Sequence, residues 1–199
     1  SNVSTSVLST ATGGTTSAIA IAAGDSAKQV ADKINSAANS IGVKASASNA
    51  AIINGVTAAG TITFSLAGSA SASISPTIST TNDLSALSAA INGVSGTTGI
   101  TASFVSFDSK NAIQLTSNDG ADIKIANYVH SATGSTTFKE GPSDIGGGTG
   151  ASTTLTNANH SSVKSGIVTL ASSKGAITTV NGNTTIFASA TQSSSFSSV

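Results

Sequence analysis

Two stretches of this chain can be laid over each other without a gap, and each reads as strand, helix, an Ile-Asn pair, a glycine stop and strand again. Ile34-Asn35 falls on Ile91-Asn92, Gly42 on Gly99, Val43 on Ile100 and Ala45-Ser46 on Ala102-Ser103, every pair 57 positions apart. Upstream, Ile21 falls on Ile78 and Val30 on Leu87. Two amphipathic helices share apolar spacing easily, but a matched Ile-Asn pair and a matched glycine at one offset point to a duplicated unit. Each copy carries an apolar helix stripe that needs a sheet to cover it. The expected fold class is therefore α+β: mostly antiparallel β-sheets, each with one covering helix, built from two copies of a β-α-β-type motif plus β-hairpins.

Composition narrows what such a scaffold can do. The chain has 199 residues, enough for one domain or two small ones. Only 8% are charged, and eight Lys balance eight acidic side chains with no Arg. A basic footprint for nucleic acid is missing. About a third of the residues are Ser or Thr, so solubility rests on hydroxyls and amides. With no Cys there are no disulfides or thiolate metal sites, and no apolar run approaches the ~20 residues of a membrane span. No secretory signal pattern opens the sequence.

Along the chain, Ser17–Ala22 alternates as a strand. A helix starts at Asp25 or Ser26, with Val30, Ile34, Ala37 or Ala38 and Ile41 on one stripe and Gly42 as its left-handed stop. Strands follow at Val43–Ile53 and Thr61–Leu66, with Asn54-Gly55 as a turn signal between them. Ser71–Thr80 alternates around Ile74 and Ile78, and Pro76 places it at a sheet edge. The second helix is expected to be capped by Asn82 or Thr81, to bury Leu84, Leu87, Ile91 and Val94, and to end at Gly93 or Gly96. A meander of Ile100–Phe107, Ala112–Thr116 and Asp122–Tyr128 is expected next, turning at Asp108–Asn111 and Asn118–Gly120. Residues 131 to about 159 read as a long loop or inter-domain crossing. Val163–Leu170, Ala176–Val180 and Thr184–Ala188 read as a final antiparallel set, and Ser189–Val199 as a frayed end.

The residues that could carry chemistry are few. Ser161-Ser162-Val163-Lys164 has the Ser-x-x-Lys spacing that places a nucleophile and a base on successive helical turns, but its flanks are strand and loop, and a Ser-rich chain produces the match by chance. His130 and His160 have no partner at a metal-ligand spacing and read as solvated loop histidines. Asn118-Asp119-Gly120-Ala121-Asp122 resembles a calcium loop in passing but lacks the terminal Glu, and reads as a hairpin turn. Gly146-Gly147-Gly148-Thr149-Gly150 fails the phosphate-loop pattern and opens no helix. Asn2-Val3-Ser4, Asn159-His160-Ser161 and Asn183-Thr184-Thr185 fit the N-glycosylation pattern, which Ser/Thr abundance generates cheaply. No catalytic, cofactor-binding or metal residue is assigned, and no cofactor is expected.

The run Ile19–Lys28 leading into Val30–Asn35 and Gly42–Ser46 resembles the repeated motif in the outer, variable region of bacterial flagellins. So does the second copy, Ser79–Leu87 through Ile91-Asn92 to Gly99–Ser103. Asn111–Ser117 is similar to the same region, and Gly166–Ile177 to a strand pair near its end. Flagellar cap and hook-associated proteins carry the motif as well. The resemblance implies a surface-displayed part of a flagellar filament subunit, outside the cell and exported without a cleaved signal peptide. Its family has long helical termini that build the filament core, which this sequence lacks, so it would be an excised outer portion. Such a portion would be a monomer alone and would meet other flagellin subunits only in the full filament. No membrane or nucleic acid is implied, while O-glycans on Ser or Thr and contact with antibodies or a host surface are.

Residues 1–55 with 150–199 are expected to form one discontinuous outer domain, and 56–149 a second, inserted distal one. A cap or adhesin-type module that binds glycans is the alternative, with Tyr128, Phe138 and Phe104 as its candidate aromatic site.

Overall fold

The computed structural model describes residues 3–10, 13–142 and 152–180. In chain order they form β1 (Val3–Thr10), β2 (Gly14–Thr15), β3 (Ile19–Ala22), α1 (Ala27–Ala38), β4 (Val43–Asn54), β5 (Gly60–Ala67), β6 (Ser71–Ile74) and β7 (Thr77–Ile78). Then come α2 (Ser85–Gly93), α3 (Ser95–Thr98), β8 (Ile100–Ser106), β9 (Ser109–Ser117), β10 (Ile123–His130), β11 (Thr136–Glu140), β12 (Ser152–Leu155), β13 (Ser162–Lys164), β14 (Ile167–Ser172) and β15 (Ile177–Val180). The fold is α+β with mainly antiparallel sheets, as the sequence pattern implies. The chain divides into two compact units, Ser1–Ser46 with Val168–Val199 and Ala47–Ile167.

In the first unit β1 is the hub, pairing antiparallel with β2, β3 and β15. Helix α1 starts at a full capping box: Ser26 Oγ accepts from Gln29 N and Gln29 Oε1 accepts from Ser26 N. The Asp25 carboxylate, just before it, takes the Ala22 N–H and the Lys33 ammonium. The Lys33 hydrogen bond holds the Asp25 carboxyl below the usual carboxylate range. The apolar stripe Ala27, Val30, Ala31, Ile34 and Ala38 is buried, as are Ile19 and Ile21 of β3.

In the second unit one sheet runs β13-β10-β5-β6 with β7 added to β5, and the other runs β12-β11-β4-β9-β8. Both contribute to one core: Ile62, Phe64, Leu66, Ile123 and Ile125 from the first sheet, Ile53, Ile113, Leu115, Phe138 and Leu155 from the second, and Leu87 and Ile91 from α2. Pro76 interrupts the β6–β7 edge, and its carbonyl still accepts from Ile62 N.

Several connections differ from the sequence expectation. Strands β4 and β5 lie in different sheets, so Asn54-Gly55 starts a crossing between layers and not a hairpin. Asn118–Gly120 is likewise a corner, because β10 pairs with β5 and β13 and not with β9. Of the expected meander only the β8–β9 hairpin forms. The presumed loop 131–159 contains β11 and β12, whose Thr-rich sequence conceals strands that bury Phe138 and Leu155. The expected final set is dispersed, with β13 against β10, β14 beside β4 and β15 against β1. Thr184–Ala188 and Ser189–Val199 lie outside the described residues.

Strand β10 carries the irregularity with the largest effect. Ile123 and Ile125 point inward, and strict alternation would bury Asn127 and Val129 next. A register shift between Ala126 and Val129, with Asn127 at φ 56°, reverses the parity. Tyr128 and His130 are buried instead, and Val129 is 51% exposed. Tyr128 stacks on Phe64, ring centroids 6.4 Å apart, and its hydroxyl bonds to Thr136 Oγ1 at 2.7 Å.

An L side chain with two heavy atoms on Cβ resists the left-handed region that Asn127 occupies. Asn127→Val is expected to destabilise by about 1–2 kcal/mol, whereas Asn127→Gly stays close to the parent. Urea unfolding midpoints of the two variants check this.

Candidate functional site

What the duplicated motif does locally is visible in both copies. After α1 a 3-10 turn at Asn39–Ile41 leads to Gly42 at φ 77°, and after α3 Gly99 sits at φ 71°. Both φ values need glycine's freedom to turn the chain back into a strand. Asn35 Nδ2 then donates to Ala45 O at 2.9 Å while its Oδ1 accepts from Ala45 N at 2.7 Å. Asn92 does the same to Ala102, at 2.9 and 2.8 Å. A carboxamide carries one amide donor and one acceptor in the geometry of a peptide group, so each Asn supplies the strand neighbour its returning strand lacks. The preceding Ile34 and Ile91 are buried and fix the carboxamide's position from the core side.

The copies differ at their helices. The second breaks at Val94 into α2 and α3, so Gly93 closes only the first piece and the stop is at Gly99. Its N-cap is Leu84, which offers no side-chain cap, so neither Asn82 nor Thr81 caps it; Asp83, just before, accepts from Ser85 N at 2.8 Å.

The other candidates are placed as follows. Lys164 lies 4% exposed on β13, while Ser161 is exposed just before the strand, so a strand and not a helix carries the Ser-x-x-Lys spacing. Lys164 Nζ sits 5.4 Å from the Phe138 ring centroid and 3.3 Å from Thr153 Oγ1. Burial pushes its pKa down, and the Glu140 carboxylate opposes that shift. His130 is not a solvated loop residue: the β10 bulge buries it. His160 is exposed, as expected. Asp119 is occupied by Ser117 Oγ, Ala121 N and Ser69 Oγ, and among the described residues no three His, Asp or Glu side chains gather as metal ligands.

Tyr128 and Phe138 are 1% and 0% exposed core residues, which removes them from any sugar-stacking site. Phe104 is partly buried, with Lys110 Nζ 5.9 Å from its ring centroid. In the Asn159 sequon the carboxamide Nδ2 donates to Thr154 O at 2.8 Å. Gly146–Gly150, the Asn183 sequon and Asn2 lie outside the described residues.

The parts the two copies share, the Asn carboxamide and the left-handed glycine, are directed at the backbone. Residues 7–59 match the model of the flagellin hook IN motif, and this stretch contains the first copy whole: β3, α1, Asn35, Gly42 and the Ala45 end of the clasp. No curated protein matches the chain.

Removing either carboxamide leaves the returning strand's N–H and C=O at Ala45 or Ala102 to find other partners. Asn35→Ala is expected to cost about 1–2 kcal/mol and Asn92→Ala, whose bonds are exposed to water, less; each Asp variant costs more than its Ala counterpart, because a carboxylate faces a carbonyl. Chemical denaturation of the four variants measures it.

At Lys164 the folded pKa lies below the ordinary ~10.4 of an unfolded lysine. Between those values the unfolded chain binds more protons, so stability rises with pH through that alkaline window and is flat below it. Lys164→Met should abolish the alkaline rise and be at least as stable as the parent at pH 7, since the half-buried Glu140 remains near water. Unfolding free energies from pH 7 to 10 decide it.

Proposed function

We propose that this chain is a surface-exposed, non-enzymatic region of a flagellar filament subunit, serving the filament surface and antigenic display outside the cell. The observation that carries the reading is the flagellin hook IN match over residues 7–59, together with the recurrence of its clasp 57 positions on, at Asn92. A charge-poor, hydroxyl-rich surface suits a domain held at very high local concentration along a filament, where sticky patches and open strand edges would cross-link neighbours. In this reading the chain supplies two outer domains, one discontinuous and the other inserted in it. Its partners are other flagellin subunits, met through parts of the protein that pack the filament core.

The test is to label flagella of the source cells with gold-conjugated antibodies raised against this chain. Decoration along the whole filament is expected. Labelling confined to the distal tip or to the hook junction would reassign the chain to a cap or hook-associated protein, and bare flagella would overturn the flagellar reading.

A further inference from the structure

The β10 bulge buries one imidazole whose surroundings leave it a single protonation form. His130 Nδ1 accepts from the backbone N–H of Ala132 at 3.1 Å, and its Nε2 lies 3.1 Å from the carbonyl oxygen of Ala58. An N–H only donates and a carbonyl only accepts, so both contacts are satisfied together only by the neutral ring with its proton on Nε2. The ring is wedged between two glycines: a Cβ on Gly60 would stand 3.0 Å from Cε1 and one on Gly134 2.8 Å from Nε2. Behind it the Asn157 carboxamide clamps the His130 backbone, accepting from its N–H at 2.7 Å and donating to its C=O at 3.1 Å.

The residues packed on the ring come from the loop before β5 (Ala58), β5 itself (Gly60), the turn after β10 (Ala132, Gly134) and the segment after β12 (Asn157), and all are uncharged. The titratable groups on adjoining positions are Tyr128, whose hydroxyl is bonded to Thr136, and His160, which is exposed. No carboxylate among these neighbours would compensate an imidazolium.

We propose that His130 is an acid-operated latch. Neutral, it adds to the Thr57–Ser135 and Thr61–Ser131 hydrogen bonds that hold the loop 55–59 and the start of β5 to the turn 131–135; taking a proton from solvent at Nδ1, it sets an N–H against the Ala132 N–H and loosens that corner. The proton is accepted in the open form, where Nδ1 is freed from the Ala132 N–H. Linkage then raises the open population as the pH falls from 7.5 to 5.0.

Hydrogen exchange of the whole chain at those two pH values, corrected for the intrinsic rate at each, reads this directly. Peptides covering 57–62 and 130–135 should lose protection at least tenfold at pH 5.0, while the β8–β9 hairpin keeps its own. The exposed-histidine variant His160→Gln should respond as the parent does. A smaller loss, a loss spread evenly over the unit, or one abolished by His160→Gln would overturn the latch. So would nitrogen NMR of the ring at pH 7.5 showing the proton on Nδ1.

Discussion

When a helix hands the chain back to a sheet, the first residues of the returning strand have backbone groups facing the helix, on the side that no strand covers. At the buried Ala45 an unpaired amide costs more than most side-chain contacts contribute, while the same bonds at Ala102 are exposed to solvent. In both units a single Asn carboxamide, held by the buried Ile before it, fills that vacancy with a matched donor and acceptor. The rest of each copy follows from it. The glycine must adopt a left-handed turn so that the strand returns within reach, and the helix stripe must face the sheet so that the Ile is buried. This explains why helix continuity can vary between the copies, with one unbroken α1 and a split α2–α3, while Ile, Asn and Gly keep their spacing.

The larger core depends on a second local device. Without the bulge at Asn127, Tyr128 would leave Phe64 and Thr136, and His130 would leave Ala58 and Ala132. One residue in a left-handed conformation thus supplies the core with its buried phenol and its buried imidazole. A chain with so few aromatics has few other ways to fill the space between two sheets.

Much of this was legible in the sequence wherever one residue dictates local geometry. The start of α1, its apolar stripe, Gly42 and Gly99, the edge position marked by Pro76 and the Ile-Asn repeat are all set within a few residues. The sequence did not reveal what the Asn does, because its partner lies ten residues on and is backbone. Strand pairing was less legible: Asn54-Gly55 and Asn118-Asp119-Gly120 carry hairpin signals, yet turn chemistry fixes a change of direction and not which sheet receives the next strand. Strands β11 and β12 were hidden because Thr and Ser serve equally in loops and on strands, and their membership is decided by Phe138 and Leu155 in the core. Tyr128 and His130 lie where strict alternation from Ile123 and Ile125 points outward, and only the bulge turns them into the core.

The pairing of β1 with β15 joins residues at opposite ends of the described chain, Val7 opposite Val180. The first unit therefore cannot close its hub sheet until nearly all of the chain is available, whereas Ala47–Ile167 contains the strand partners of its two-sheet core apart from β14, which pairs with β4. For a polypeptide synthesised one end first, this gives an order of assembly. The uninterrupted unit can consolidate on its own contacts, and the interrupted one is sealed last by a long-range strand pair whose loop-closure entropy is already reduced by the folded insert.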